Sequence, residues 1–558
     1  MPELITLKRQ PARGALLFAV ALLCAIALPL VAFAQKEAPA SVSGRVTDGE
    51  HGAPGITVML IFNEPTQRFR LAARAKTDAD GRFILTNVAP GRYQILPAAP
   101  TYVIAGLGTN YPPGQPLTIV AGEEVKDIDF KMEAGGVITG RVTDADGNPV
   151  VAEPVFTTPV EESTGPPRFN FDQRDQLTDD RGVYRLFGLP PGRYRVSVGR
   201  ADESGAISYS RRKLFRRTFY PDATEQAQAR IVEVKSGIEA TDVDITVGHA
   251  LKTYKVAGRF VTADTSQPIA NIPVGFSTMD ARGRRFGGTN GVTTTNARGE
   301  FQTEGLAPGH YAVYATNRFN QEATEFYSDP VNFEVADADV SGLLVKLKRG
   351  ASVSGVVTIE GVADRAAAAQ MLAAVHIYPY VEVSRQQMGM PGPARQVNVN
   401  ADGTFQVRGL TPGKLRLGTL NEAVKGLTTT RVELNGVNII RGFDITEGEQ
   451  VTGVRIVMTY GTATLVGQTT YVNGTPPAGA RVMVTATLVG QPQGGSTSRS
   501  AEVDARGFFR LEGLPAGEYD VIAFVFAFGP GRMRRSEPQR VVLGDGGEAK
   551  VTSVIDFK

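Results

Sequence analysis

The 558-residue sequence predicts an all-β protein, a tandem array of five antiparallel β-sandwich domains, and three observations predict it. Glycine and proline are abundant, at 62 and 34 residues, which suits short strands and tight turns, and they lack the strict three-residue glycine period of collagen. One frame of turn residues and alternating apolar residues recurs five times after residue 40. The length calls for several cores, because a single domain takes ~100–200 residues. A hydrophobic content of 42% with 21% charged residues is ordinary for globular chains and excludes wholesale disorder.

Residues 1–34 read as a secretory signal: Lys8, Arg9 and Arg13 precede an apolar run from Gly14 to Phe33 that closes in Ala32-Phe33-Ala34. Cleavage is expected after Ala34, with the mature protein exported to the periplasm or the exterior. The run is also about long enough to span a bilayer as an uncleaved anchor. Pro29 and the small-x-small ending favour cleavage, so membrane contact is expected only through this segment where it is retained. The sole cysteine, Cys24, lies inside the run, so the remainder has neither a disulfide framework nor a cysteine-based metal site. The leader's three basic residues and Glu3 account for the whole formal charge of +2, which leaves the rest of the chain neutral. A neutral exported chain has no electrostatic footprint for nucleic acid.

In each repeat a turn glycine is followed ten positions later by a second one: Gly81 and Gly91, Gly182 and Gly192, Gly299 and Gly309, Gly403 and Gly413, Gly507 and Gly517. Apolar residues fall two and four positions after the first glycine, as in Phe83 and Leu85 or Phe509 and Leu511, and alternation at period two makes a half-buried strand. The third copy weakens this pattern by placing Thr303 after Phe301. A Pro-Gly or Ala-Gly turn then reverses the chain. The next strand starts its inward face at Tyr93, Tyr194, Tyr311 or Tyr519, with Leu415 in the fourth copy. A tyrosine hydroxyl bonded across the turn gives these residues a structural role.

An opening strand precedes each frame, around Ser43-Gly44-Arg45-Val46-Thr47 in the first copy and Val466-Gly467-Gln468-Thr469 in the last. Closing strands follow near 128–132, 243–247, 343–347, 454–458 and 554–557. Together they bracket sandwiches at 41–134, 137–249, 254–349, 351–460 and 462–558. Ala366-Ala367-Ala368-Ala369 within 362–375 marks a short helical insertion in the fourth. Joints such as 133–136 and 248–254 are a few residues long, so an extended and fairly stiff arrangement is expected.

The recurring S-G-R-V-T-D, T-D-A-D-G-R-F and L-P-P-G-R-Y-R-V stretches resemble the carboxypeptidase regulatory-like domain family. The resemblance spans essentially 41–558, is closest in the first, second and fifth copies, and is weakest in the opening half of the fourth. It implies a transthyretin-like (prealbumin-like) β-sandwich. The family belongs to a wider group of carbohydrate-binding-like sandwiches, which implies a ligand class but transfers no binding residue. Its name records a neighbour of a metallopeptidase domain and not an activity.

Catalytic chemistry is not expected, nor is a cofactor. His51, His249, His310 and His376 are scattered over separate repeats without the His-x-x-Glu or His-Glu-x-x-His spacing of a zinc peptidase. No Gly-x-Ser-x-Gly elbow supplies a nucleophile. Asp78, Asp80, Asp144 and Asp146 offer carboxylates for calcium, but Arg181, Arg298 and Arg506 stand at the slot of Asp80 in other copies, and a cation cannot replace a calcium ligand. Hairpin-turn chemistry explains Asp-Gly there.

Two stretches rise above scaffold. Tyr209, Arg211, Arg212, Lys213, Phe215, Arg216 and Arg217 gather cations among aromatics in the second repeat, which suits an anionic glycan or a protein. A solvated hairpin with alternate residues buried is the plainer reading. In the fifth repeat, inward Tyr519 and Val521 place Phe524, Phe526 and Phe528 on the opposite face, followed by Arg532, Arg534 and Arg535. A neighbouring domain covering the rings, or a bulge that flips the register, is the alternative. The expected function is a non-catalytic exported binding or spacer protein of the envelope or exterior, with polysaccharide or an envelope protein as partner. The alternative is a protein-interaction or adhesion scaffold, or an accessory subunit of a separate exported hydrolase or transporter.

Overall fold

The computed structural model describes residues 38–558 apart from 64–69, 105–113, 161–176, 201–205, 208–212, 280–284, 317–324, 383–395, 421–423, 425, 478–479, 492–497 and 527–533. Five separate hydrophobic cores run along the chain, from Ala40 to Met132, Ile138 to Val247, Val256 to Leu347, Ala351 to Met458 and Ala463 to Ile555. Each lies between two sheets, as the alternating pattern requires: the frame strand after the turn glycine buries every second residue, for instance Phe83 and Leu85 in Arg82–Val88.

One sheet of each sandwich is built on its opening strand. Tyr254–Thr262 lies between Glu300–Leu306 and Val340–Arg349, Ala351–Glu360 between Thr404–Leu410 and Gln450–Tyr460, and Ala463–Val472 between Phe508–Leu514 and Glu548–Asp556. The frame strand pairs antiparallel, but the closing strand runs parallel to the opening one. Ala40–Asp48 with Phe130–Ala134 repeats this arrangement in the first sandwich. Alternation predicts which face a residue takes and not the direction of its neighbour, so the parallel pair was not visible in the sequence.

The glycine of each opening strand is set by close approach. A Cβ at Gly44 would fall 1.9 Å from the Ile128 carbonyl oxygen, and one at Gly355 would fall 1.8 Å from that of Val454. The opposite sheet carries the tyrosines. Their hydroxyls donate back across the turn: Tyr93 to the Ala89 carbonyl at 2.7 Å, Tyr194 to Pro190 at 2.9 Å, Tyr311 to Ala307 at 2.7 Å and Tyr519 to Pro515 at 2.8 Å. In the fourth sandwich an α-helix, Arg365–Ala373, is capped by Asp364, whose side chain accepts from the Ala366 N–H at 2.8 Å.

Three joint glycines are bonded back to the sandwich they leave. Gly135 N–H donates to Thr101 O at 2.9 Å, Gly350 N–H to Glu325 O at 2.8 Å and Gly461 N–H to Gly426 O at 2.9 Å. Between the second and third, Ala307 N–H donates to Ala206 O at 3.0 Å while Ile207 packs against the third core. At three joints the residue six positions after the turn glycine is crowded by what precedes it: Gly188 by Pro100, Gly409 by Gly350 and Gly513 by Gly426. Gly188, Gly305, Gly409 and Gly513 stand there with φ of 66°, 92°, 70° and 72°. The first sandwich has Asn87 at that place with φ of 57°.

The array is not extended as the short joints led one to expect. It curls so that the fifth sandwich reaches the first. The 504–507 turn rests on the edge strand Gln115–Ile119, where Ala505 N–H donates to Pro116 O at 3.3 Å and Thr118 N–H to the Asp504 carboxylate at 3.4 Å. Arg506 donates to Thr118 O at 2.7 Å and pairs with Glu123 at 2.6 Å.

Candidate binding surfaces

In the basic stretch of the second sandwich, Phe215 is a core residue, only 5% exposed, and Leu214 and Phe219 are buried with it. Its place in a binding patch is therefore corrected: the cluster needs apolar side chains there to close the core. Lys213, Arg216 and Arg217 are exposed, whereas Tyr209, Arg211 and Arg212 lie outside the described residues. The neighbouring Asp144 carboxylate accepts from the N–H groups of Asn148 at 2.9 Å and Asp146 at 3.0 Å, which is turn geometry.

In the fifth sandwich, Gly517–Phe526 buries Tyr519, Val521, Ala523 and Val525 and turns Phe524 and Phe526 outward. Their rings pack edge to face with centroids 4.9 Å apart, and Phe526 is 46% exposed. The strand opposite places Met483 beside Phe524 and Arg481 beside Phe526. Arg481 is bound to Glu502 at 2.7 Å, so the rim there is an ion pair. Arg534 turns away to the C-terminal strand, over the Phe557 ring and against the Asp556 carbonyl at 3.3 Å, and leaves Arg535 as the exposed cation beside the rings. Phe528 and Arg532 lie outside the described residues.

Two features escaped the sequence reading. Tyr378 and Tyr380 share the outer face of His376–Glu382 and are 39% and 52% exposed. Gly418 stands opposite Tyr378, which leaves that ring uncovered, and Arg416 stands opposite Tyr380 and pairs with Glu382 at 2.6 Å. Their signal was the alternation of His-Ile-Tyr-Pro-Tyr-Val, in the half-repeat where the frame is least regular. The other is a polar cleft of about 230 Å³ between the third and fourth sandwiches, lined by Glu325, Arg349, Ser352, Gln406, Arg408 and Gln450. Glu325 lies 3.3 Å from Arg349 and 3.6 Å from Arg408, so the two guanidiniums already share a carboxylate.

Among the described residues no group of three or more His, Cys, Asp or Glu is placed to hold a metal ion, and no helix is long and apolar enough to cross a membrane.

The family model of the carboxypeptidase regulatory-like domain matches residues 41–133. No curated protein matches the chain. Among solved structures, a streptococcal ancillary pilin is similar at 14% identity over 55% of this chain and 98% of the pilin, with a TM-score of 0.25. The minor pilin of Streptococcus agalactiae is similar at 11% identity over 38% of this chain and 96% of its own, with a TM-score of 0.22. Two B repeat units of the collagen-binding protein of Staphylococcus aureus are similar at 11% identity over 76% of this chain and 100% of theirs, with a TM-score of 0.14. The first sandwich is a carboxypeptidase regulatory-like domain, and the four that follow it are built on the same frame.

Proposed function

We propose that the chain is an exported, non-catalytic scaffold of the cell envelope or exterior, which holds five sandwiches in one stiff array and offers their outer faces to a partner protein. The joints carry this reading. Gly188, Gly409 and Gly513 let the preceding backbone dock directly, and Ala307 takes a backbone bond from the second sandwich, so the sandwiches are spaced by contact and not by linker length. Fixed spacing is of use to a protein that positions other molecules. Phe524 and Phe526, with Arg535 at their rim, are the favoured contact for an envelope protein.

Export is tested by sequencing the N-terminus of the protein recovered outside the cytoplasm: Gln35 is the expected first residue, and material retained inside with Met1 would overturn it. Stiffness is tested by small-angle scattering, where a distance distribution with a sharp maximum dimension is expected and a broad, beads-on-a-string profile would overturn the scaffold. Crosslinking on cells through Phe526→Cys distinguishes a structural envelope partner from a separate exported hydrolase or transporter that this chain would serve as a subunit.

A second reading, polysaccharide binding, is favoured by Tyr378 and Tyr380, since exposed rings on a flat sheet with an uncovered neighbour suit stacking on sugar faces. Affinity electrophoresis against neutral and acidic polysaccharides tests it. Retardation that Tyr378→Ala/Tyr380→Ala abolishes supports it, and unretarded migration with every polymer removes it.

A further inference from the structure

The turn that touches the first sandwich exists in all five. At 78–81, 179–182, 296–299 and 400–403 it faces solvent, with its Asp or Asn side chain exposed or half-buried. In the fifth, Asp504 is 5% exposed and Arg506 lies half-buried, because the turn is pressed against Gln115–Ile119. That strand is the edge of its sheet: it pairs on one side with Gly91–Ala98, and its other side meets Ala505 and Arg506. The contact is polar: one arginine spans Asp504, Glu123 and the Thr118 carbonyl, and the Gln94 side chain lies 3.3 Å from the Glu502 carboxylate.

A contact made by a few polar groups binds weakly between separate molecules. Within one chain it holds because the array delivers the fifth sandwich to the first at high effective concentration. Four joints lie between the two ends, and a small rotation at each adds up to a separation at the closure. On opening, Thr118 and Pro116 lose their partners while the turn of another molecule can supply the same groups.

We propose that this contact is an exchangeable closing interface, and that its partner in trans is the corresponding surface of a second copy of this chain: the 504–507 turn of one copy docks on Gln115–Ile119 of the next. The two surfaces differ, so the association is heterologous, and it either closes a pair or continues head to tail. The inference goes beyond the scaffold reading and does not depend on export or on any envelope partner.

The test is disulfide trapping with Pro116→Cys and Ala505→Cys in a chain that also carries Cys24→Ser, so that no other thiol is present. Oxidation at low concentration is expected to give the single-chain disulfide. The share of cross-chain disulfide is expected to rise about tenfold for a tenfold rise in protein concentration, since only the trans reaction is second order. Arg506→Glu is expected to reduce both products. Single-chain disulfide alone at every concentration would overturn exchange, and no disulfide in a folded chain would overturn the contact itself. Where the cysteine chain fails to fold, light scattering of the unmodified chain decides. A mass that climbs with concentration and falls back to monomer in Arg506→Glu supports the proposal, and a constant monomer mass overturns it.

Discussion

Gly513 of the fifth sandwich lies so close to Gly426 of the fourth that a Cβ on Gly513 would fall 2.5 Å from the Gly426 Cα. The same crowding holds at Gly188, where a Cβ would meet the Pro100 carbonyl oxygen at 2.4 Å. Asn87, at the matching place of the first sandwich, keeps the left-handed backbone. At 188, 409 and 513 the glycine therefore marks a joint.

Gly513→Ala is expected to part the fourth and fifth sandwiches and to cost the fifth about 1–2 kcal/mol from the left-handed backbone alone. Limited proteolysis at 460–463 should accelerate, and the scattering profile should broaden. Asn87→Gly is expected to leave both unchanged. Equal behaviour of the two variants would show that the glycine serves only its own turn.

Thr178 is buried and ties a loop of the second sandwich: its hydroxyl donates to Val150 O at 2.6 Å and accepts from Glu153 N–H at 3.0 Å. Thr77 and Thr295 do the same in the first and third, while Val399 and Val503 fill the slot in the last two. Thr178→Val is expected to destabilise the second sandwich by about 1–3 kcal/mol, because two buried backbone groups lose their partner. Hydrogen exchange of core amides, read sandwich by sandwich, isolates the effect where a global melt of a multidomain chain would not. Unchanged protection of the second core would refute it.

Tyr519→Phe is expected to cost about 0.5–1.5 kcal/mol, the net worth of its bond to the Pro515 carbonyl. The loss should appear in the fifth sandwich only, measured in the same exchange experiment. The fourth, with Leu415 at this position, already closes its turn without the bond.

Stability is expected to fall at both ends of the pH scale. The Asp179 carboxyl is held below its ordinary pKa by the Val183 N–H, against a smaller opposing effect of desolvation and with help from Arg181. The Thr404 hydroxyl and N–H do the same for Asp402. Their contribution is present above the unfolded-state pKa and is lost as pH falls through the lower folded value. Burial pushes the Tyr184 and Tyr519 phenols well above their usual range, with Arg499 partly opposing this at Tyr519. A raised phenol pKa gives stability that is whole below the unfolded value and lost as pH climbs past it. Denaturant midpoints across pH, with Asp179→Asn flattening the acid limb, check the first part. Ultraviolet titration checks the second: these phenols should ionise only on unfolding.

The fold was legible because each strand announces its inward face and each turn its glycine. Gly81 and Gly91 recur at one spacing through Gly507 and Gly517, and Phe83, Leu85 and Tyr93 are buried where alternation puts them. The surfaces were less legible. Phe215 looked like part of a cationic patch because charge dominates its neighbours, yet core closure decides its side. Arg506 occupies a turn slot that is solvated elsewhere, and only the curvature of the whole array brings Glu123 to it. The glycines at 188, 409 and 513 stood in the sequence, but the crowding that requires them comes from the backbone that precedes each sandwich.

The parallel pairing of opening and closing strands sets how each sandwich bears load. In Ala463–Val472 and Glu548–Asp556 the pairing runs unbroken from Thr464 with Glu548 to Val472 with Asp556. The two strands point the same way, so their outer ends leave the sandwich at opposite poles. Tension applied along the chain pulls these ladders in shear, where every bond must give way together, instead of peeling them open one at a time. Under a pull the small contact at Arg506 yields first and the array lengthens, while each sandwich stays whole. A stretched chain would thus take up slack by uncurling before any core is spent.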